Sequence, residues 1–457
     1  MESEKDSSKT EHIVKNSFWN MLTVLSSKLG GMIFVIILAR FLLPDKFGIY
    51  NIALSVALFV ITLTNVATNQ TLSVYISNAL GGENKEKANP YYRFIFKIKF
   101  LFSVLSAIIL IALAYPLSLY LFNKPELTFP IIFFSIYIIS FSTQNFYETL
   151  FYVINRVRFL TIKELSLQFL KIILCVAFFV LIYPSIFLSA VAIILSSLFA
   201  IILMRLNLKK SAKFLFDRKD KEIDKKRVFN FIKNAIVSST STTIFGYVDC
   251  FLLGIFVSAA YVGYYSSAFL IIGGFFGLLS ISNVCLPIFT QINKENLSDA
   301  FGRIFRYLSI VSIPLIFGIL ILGNYVIKIV YGNEYLNATL PLLFLSILIF
   351  ETPVTDNLKA LLFSKEKPEF VSKIIVFGTI LNITLNLILI LLLMQISMLG
   401  AIAGAAIATV ISRLTIMFSL SIMIKKELNI SYNFKPLIKP IISSLIMAGI
   451  ILLCTRK

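Results

Sequence analysis

The chain has 457 residues, 58% of them hydrophobic and only 14% charged, with a net charge of +19 and a mean hydropathy of +0.89. Soluble domains run near 45–50% apolar and about 25% charged, so the excess excludes a soluble enzyme, a coiled coil and a disordered chain. A bilayer span uses roughly 20 apolar residues, so the apolar content furnishes about a dozen spans. Runs this long also exclude a transmembrane β-barrel, whose strands alternate apolar and polar residues. The expected fold class is all-α integral membrane.

A polar leading segment, 1–16, is expected to be a cytoplasmic tail; it holds the only histidine, His12. The first apolar run begins near Phe18, too long and too late for a cleaved signal peptide, and is expected to be the first span. Runs bounded by charge, Gly, Pro or Asn fall near 17–39, 48–78, 94–121, 127–153, 161–183, 186–206, 228–256, 261–290, 304–330, 339–363, 370–394, 398–424 and 437–454. That predicts twelve transmembrane helices and a short thirteenth. They are grouped as an N-terminal six-helix bundle (17–206), a cytoplasmic linker (207–227), a C-terminal six-helix bundle (228–424) and an additional transmembrane helix (437–454). Cys175, Cys250, Cys285 and Cys454 sit in apolar runs without C-x-x-C spacing and read as small core residues. No metal site and no cofactor is expected.

The charge has a topological pattern. With the N-terminus inside, 32 of the 42 basic residues fall on inward segments, 4 within spans and 6 elsewhere. The heaviest inward segment is RLNLKKSAKFLFDRKDKEIDKKR, 205–227. This is the positive-inside asymmetry, so the basic excess needs no nucleic-acid partner. The outward loops are only a few residues, such as Tyr331-Gly-Asn-Glu-Tyr-Leu-Asn, which argues against an embedded glycosyltransferase or polymerase with an external catalytic segment. No G-x-x-x-x-G-K-[ST] occurs, so no P-loop drives the chain, and it is not expected to be an enzyme.

The two halves repeat. Lys15-Asn16 pairs with Lys233-Asn234. Phe47-Gly48-Ile49-Tyr50-Asn51-Ile52-Ala53 matches Val262-Gly263-Tyr264-Tyr265-Ser266-Ser267-Ala268 in its Gly, Tyr and Ala spacing. Pro130-Ile-Ile-Phe-Phe-Ser-Ile136 matches Pro341-Leu-Leu-Phe-Leu-Ser-Ile347. A repeat of six spans returns to its starting side, so the halves would be parallel repeats around a central cavity, as in transporters.

Three stretches carry a family resemblance: Ala39-Arg40-Phe-Leu-Leu-Pro44-Asp-Lys-Phe47-Gly48-Ile-Tyr50, then Asp249-Cys-Phe-Leu-Leu-Gly254 followed by Val262-Gly263-Tyr264-Tyr265, and finally Asn382 and Asn386 followed by Gly400-Ala-Ile-Ala-Gly404-Ala405-Ala406-Ile-Ala408-Thr409. Together they resemble the polysaccharide-transport branch, the O-antigen or Wzx-type flippases, of the multidrug/oligosaccharidyl-lipid/polysaccharide exporter superfamily. The resemblance implies a plasma-membrane flippase that moves a polyprenyl-diphosphate-linked oligosaccharide to the outer leaflet for cell-surface polysaccharide biosynthesis. Its partners would be that glycan, the lipid bilayer, a coupling ion (H+ or Na+) and other polysaccharide-assembly proteins. The alternative within the superfamily is a cation-coupled multidrug or small-molecule antiporter.

A lipid-linked glycan presents an anionic diphosphate and a wet sugar, so cations, hydroxyls and amides inside spans become candidates. Lys28, about 16 Å into span one, Lys171 in span five and Arg413 in span twelve lie near mid-membrane. Lys233 is close enough to the inner edge to snorkel. Arg40 ends span one, as an external anchor or a late phosphate contact. Thr62, Asn65 and Asn69 share a face of span two, and Ser238 to Thr243 form a hydroxyl-rich run in span seven; both could line a cavity or bond their own helices. Asp249 is the leading acid for ion coupling, with Glu351 and Asp356 in span ten. Asp356 and Lys359 share a helix face and would either line the cavity or neutralise each other. Gly400 and Gly404 permit close helix packing.

Overall fold

The computed structural model describes residues 2–81, 85–216, 221–233, 247–279, 281–292, 294–428 and 435–455. Among them there is no strand, and each of the apolar runs carries helix. The elements are α1 (Glu2–Gly81), α2 (Ala88–Pro116, continued by one π-helical turn to Leu121), α3 (Thr128–Val153), α4 (Val157–Leu181), α5 (Ile186–Ser211) and α6 (225–233), then α7 (Val248–Phe256), α8 (Ala259–Leu279), α9 (Ser282–Gln291), α10 (Lys294–Val330), α11 (Thr339–Leu345), α12 (Leu348–Ser364), α13 (Pro368–Met394), α14 (Met398–Leu428) and α15 (Ile438–Thr455). The hydroxyl run 238–243 lies outside the described residues.

Eight helices among the described residues are long and apolar enough to cross a membrane, nine if α11 and α12 count as one bent span. The protein is therefore an all-helical, multi-pass membrane protein. Among the described residues there are fewer continuous spans than apolar runs because α8 and α15 carry apolar stretches shorter than a full span, and because of the features that follow. The first two runs share α1, with a break at Leu43, whose φ of 61° and ψ of 168° fall in a region that glycine favours. Pro44 enforces the extended ψ of its predecessor. The run 228–256 is represented by α6 and α7, on either side of undescribed residues. The run 339–363 bends by 44° between α11 and α12. Six residues into α12, Pro353 lacks an N–H, and its ring crowds the carbonyl one turn upstream.

The chain divides into two compact units, Met1–Leu42 with Ile49–Tyr247, and Leu43–Gly48 with Val248–Lys457. In unit 1, α3 packs on α2 and α5, and α5 on α4. Its core runs through Tyr92, Phe146, Tyr147, Phe151 and Leu208. In unit 2, α13 lies along α14, α12 packs against α8, α9, α10 and α14, and α15 leans on α10. Cys175 and Cys285 are buried and Cys250 is half-buried, but Cys454 is exposed on α15, so it is not a core residue. It faces outward because α15 has a packing partner on one side only.

Glycines set the closest approaches. A Cβ on Gly404 would stand 2.7 Å from the Leu389 carbonyl oxygen, and one on Gly400 2.6 Å from that of Leu393, so α14 rests on the backbone of α13. A Cβ on Gly48 would lie 1.7 Å from the Ala259 carbonyl oxygen, and one on Gly263 2.3 Å from that of Pro44. The contact is reciprocal, because Pro44 precedes Gly48 by the same four residues as Ala259 precedes Gly263.

These backbones make opposite demands on side chains. Leu43→Gly should raise the thermal midpoint of the detergent-solubilised protein, by relief of about 1–3 kcal/mol of strain; Leu43 is 52% exposed, so little packing is lost. Gly48→Ala should lower the midpoint, at a cost of about 1–3 kcal/mol or more. A midpoint unmoved in both variants would contradict this account.

Candidate functional site

Two buried polar clusters stand out, one in each unit. In unit 2 the hub is Asp249, in the first turn of α7 and 7% exposed. The Tyr265 hydroxyl of α8 donates to its Oδ2 at 2.5 Å and the Thr409 hydroxyl of α14 to the same oxygen at 2.6 Å. The Asn386 amide of α13 donates to Oδ1 at 2.9 Å. Asn382, one turn before Asn386, donates to Thr409 Oγ1 at 3.3 Å. Four helices therefore meet at one carboxylate, brought there by the glycine-mediated contact of α13 with α14. Arg413, one turn beyond Thr409 and half-buried, lies within electrostatic range of Asp249. The side-chain carbonyl oxygens of Asn382 and Asn386 are buried without a hydrogen-bond donor. With Asp249 and Thr409 they form a set of hard oxygen donors, the chemistry that suits a small hydrated cation better than a soft metal. Among the described residues no group of three or more His, Cys, Asp or Glu could hold a metal ion.

In unit 1 the cluster is ionic. The Lys163 ammonium of α4 pairs with Glu148 of α3 at 2.6 Å and with Glu164 at 2.7 Å. Gln144 donates to Glu148 at 2.8 Å, Gln168 donates to Glu164 at 2.7 Å, and Ser197 of α5 donates to Gln144 at 2.9 Å. A Cβ on Gly30 would meet Gln168 at 2.6 Å, so α1 crosses directly over this network. Beside it a cavity of about 240 Å3 is lined by Thr23, Ser27, Lys28, Glu148, Tyr152, Lys163 and Glu164. Lys28 is exposed on its wall. Nearby, Lys99 of α2 is 2% exposed, donates to Asn69 Oδ1 and sits 5.9 Å from the Phe146 ring centroid.

The remaining candidates fall apart from these clusters or take plainer roles. Arg40 is exposed near the end of α1's first stretch. Lys171 is half-buried, its ammonium 4.6 Å from the Phe34 ring centroid, which accounts for it as a cation–π contact. Asn65 is buried, and neither side-chain polar atom has a hydrogen-bond partner. Thr62 bonds the Leu58 carbonyl of its own helix. Glu351 is fully buried and accepts from Thr352 and Thr355, both on its own helix. Asp356 and Lys359 pair at 3.1 Å.

Sequence reasoning passes over Glu148 and Glu164 and counts Lys99 and Lys163 with the inward basic segments. The missing signal is the acids: Glu148 falls inside run 127–153 and Glu164 inside run 161–183. An acid in an apolar run carries the same weight as a lysine there.

A model of polysaccharide biosynthesis proteins matches residues 37–340. A curated relative, described as a probable low-salt glycan biosynthesis flippase, Agl15, of Haloferax volcanii, is 26% identical over 167 residues, 34% of this chain and 34% of the relative. The chain thus matches about a third of that protein's length. Among solved structures, the lipid II flippase MurJ in an inward closed conformation aligns with a TM-score of 0.76 at 16% identity, covering 96% of this chain and 93% of that one. An inward-facing multidrug resistance MATE family transporter of the MOP superfamily aligns with a TM-score of 0.59 at 14% identity, covering 91% and 95%. At these identities the likeness is one of fold.

The ionic cluster should behave as a unit. Lys163→Met strands the buried Glu164 and the half-buried Glu148 carboxylates and should cost about 3 kcal/mol, read as a large fall in thermal midpoint. Lys163→Met with Glu148→Gln and Glu164→Gln should recover most of that loss. A triple variant no more stable than the single one would break the argument.

Proposed function

The chain belongs to the family of polysaccharide biosynthesis proteins, and from that membership we propose that it is a flippase, carrying a polyprenyl-diphosphate-linked oligosaccharide from the cytoplasmic to the outer leaflet by alternating access. The observation that carries the reading is the family match over 37–340, on a transporter fold whose membrane helices hold cations next to cavities and polar clusters. The cargo crosses unchanged. The protein's task is to offer its anionic diphosphate and hydroxylated glycan a polar route while the prenyl chain stays in lipid, with no bond made or broken.

Lys28 is the leading diphosphate contact. It is exposed on the wall of a cavity that also presents the hydroxyls of Thr23, Ser27 and Tyr152. Arg413 is the corresponding candidate in unit 2, and Arg40 a contact at the far end of the first span. Lys171, covered by Phe34, is the weakest of the four. Asn65 and Asn69 offer amides for sugar hydroxyls. The charge asymmetry of the chain supports an orientation with the N-terminus and the 205–227 segment in the cytoplasm.

Asp249 is the coupling group in this reading. The carboxylate would take a proton, or with Thr409, Asn382 and Asn386 hold a sodium ion. Cation entry and the electrostatic attraction of Arg413 are then alternatives for one carboxylate, which gives the ion a differential effect on two states. Glu351, which accepts from the Thr352 and Thr355 hydroxyls of its own helix, is a second acid that could change protonation.

In cells, Lys28→Ala and Arg413→Ala should each lose surface glycan while the protein inserts at normal levels; unchanged surface glycan in both variants removes the diphosphate role. In proteoliposomes loaded with labelled lipid-linked oligosaccharide, Asp249→Asn should abolish the response of outer-leaflet accumulation to an imposed H+ or Na+ gradient. If Asp249→Asn vesicles respond as wild-type ones do, Asp249 is not the coupling acid.

A further inference from the structure

One cavity in unit 1 is used by none of these roles. It measures about 490 Å3, within the ~300–1,000 Å3 of small-molecule sites, and lies where the last turns of α1, the first turn of α2 and α6 meet. Its wall holds three aromatic rings from the three helices: Tyr75, Tyr91 and Phe231. Tyr75 packs against Tyr91 at 5.1 Å between centroids with a 54° tilt, and edge-on to Phe231 at 5.8 Å and 86°. The two tyrosines are half-buried and Phe231 is 37% exposed, so ring surface faces the cavity.

The polar groups are complementary in kind. Lys87 and Arg227 are the charged groups among the described residues that line the cavity, and the Asp224 carboxylate, just outside the lining, accepts from the Arg227 backbone N–H at 2.9 Å and acts electrostatically on Tyr91. The Lys87 ammonium makes no ion pair with a described residue, and the hydroxyls of Tyr75 and Tyr91 make no hydrogen bond to one. Asn78 and Asn230 add exposed amides, which donate and accept side by side as vicinal sugar hydroxyls require. The tilted rings form a corner rather than two parallel faces, so they suit the C–H edge of a pyranose better than a base stacked between planes. Two cations on the described wall against one acid outside it leave the wall net positive, which favours a negative charge on the ligand.

We propose that this cavity is a recognition subsite for an acidic sugar, one bearing a carboxylate or phosphate, at the inward-facing end of unit 1. The proposal rests on the flippase reading for the glycan nature of the cargo and for the side on which the basic segments lie. It adds a selectivity step: the glycan is inspected by the rings of Tyr75, Tyr91 and Phe231 and the cations Lys87 and Arg227, separately from the diphosphate contacts at Lys28.

The test uses the full chain in nanodiscs and calorimetric titration with four probes: a glucuronate-containing tetrasaccharide, its carboxyl-reduced neutral analogue, inorganic pyrophosphate and uridine diphosphate. The acidic tetrasaccharide should bind at least ~10-fold more tightly than the neutral one, and Tyr91→Ala and Arg227→Gln should each weaken it by ~5- to 10-fold. Tyr91→Phe and Arg227→Lys, which keep the packing and the charge, should retain most of the binding, so a folding defect is told apart from a lost contact. No binding by the wild-type protein, undiminished binding by Tyr91→Ala with Arg227→Gln, or equal affinity for pyrophosphate or uridine diphosphate would each overturn the proposal. Flipping of labelled lipid-linked glycan is scored in parallel. Flipping without tetrasaccharide binding removes this subsite alone, whereas tetrasaccharide binding without flipping removes the transport reading.

Discussion

A charge taken out of water inside a bilayer has to be met by protein, and each unit is organised around one such meeting. The uncompensated cost is several kcal/mol per ion. Unit 1 meets it with opposite charge: Lys163 lies between Glu148 and Glu164, and Gln144 and Gln168 take up remaining carboxylate lone pairs. Unit 2 meets it with neutral donors: Tyr265, Thr409 and Asn386 surround Asp249. The two solutions have different consequences. An ion pair is self-sufficient and resists change. A carboxylate held by hydroxyls and an amide is met by neutral groups instead of an opposite charge, and hydroxyl and amide groups can also present oxygen to a cation. The second arrangement is the one suited to exchange.

Donors reach Asp249 only because helices approach at backbone distance. In lipid there is little hydrophobic drive for helices to associate, so close packing and polar contacts must supply it. Gly400 and Gly404 let α14 rest on the carbonyls of Leu393 and Leu389, and this contact brings Asn382 and Asn386 opposite Thr409. Gly30 does the same in unit 1, where a larger residue would push into Gln168 and disturb the donor to Glu164. The reciprocal contact of Gly48 and Gly263 fixes α8 against the start of α1's second stretch, and Tyr265 follows Gly263 by two residues. Each polar cluster thus depends on a glycine that is not part of it.

The sequence made the helices, the close-packing glycines and Asp249 legible because each rests on a local signal: an apolar run, a small-residue spacing, a lone acid far from either end. It left Lys163 and Lys99 illegible for a physical reason. Basic residues near the inner ends of spans are abundant for topological reasons, and composition does not separate a lysine that snorkels from one that turns inward. Lys99 is 2% exposed and Lys163 4%, although both fall in segments rich in exposed cations. The bend between α11 and α12 was hidden likewise, because hydropathy does not register a change of helix direction, whereas the break at Leu43 falls in the gap between the runs 17–39 and 48–78. The internal match of Gly48 with Gly263 is visible as a motif, yet only the coordinates make those two glycines neighbours.

Polar residues in the spans sort by where their hydrogen bonds go. Thr62, Thr71, Ser135, Ser309 and Ser412 return theirs to a carbonyl of their own helix three or four residues back, which satisfies the hydroxyl and asks nothing of a neighbour. Thr409, Tyr265, Asn386 and Ser197 reach another helix instead, and each of them ends at one of the two clusters. A bond within a helix survives any rigid movement of that helix, whereas a bond between helices is lost or remade when they shift. In a transporter, whose helices must shift, the second group is where a change of position becomes a change in how a charge is held. Under the proposed flippase reading, Asp249 and its donors are therefore where a helix movement would change how a charge is held, while the Lys163 ion pair would hold its helices together.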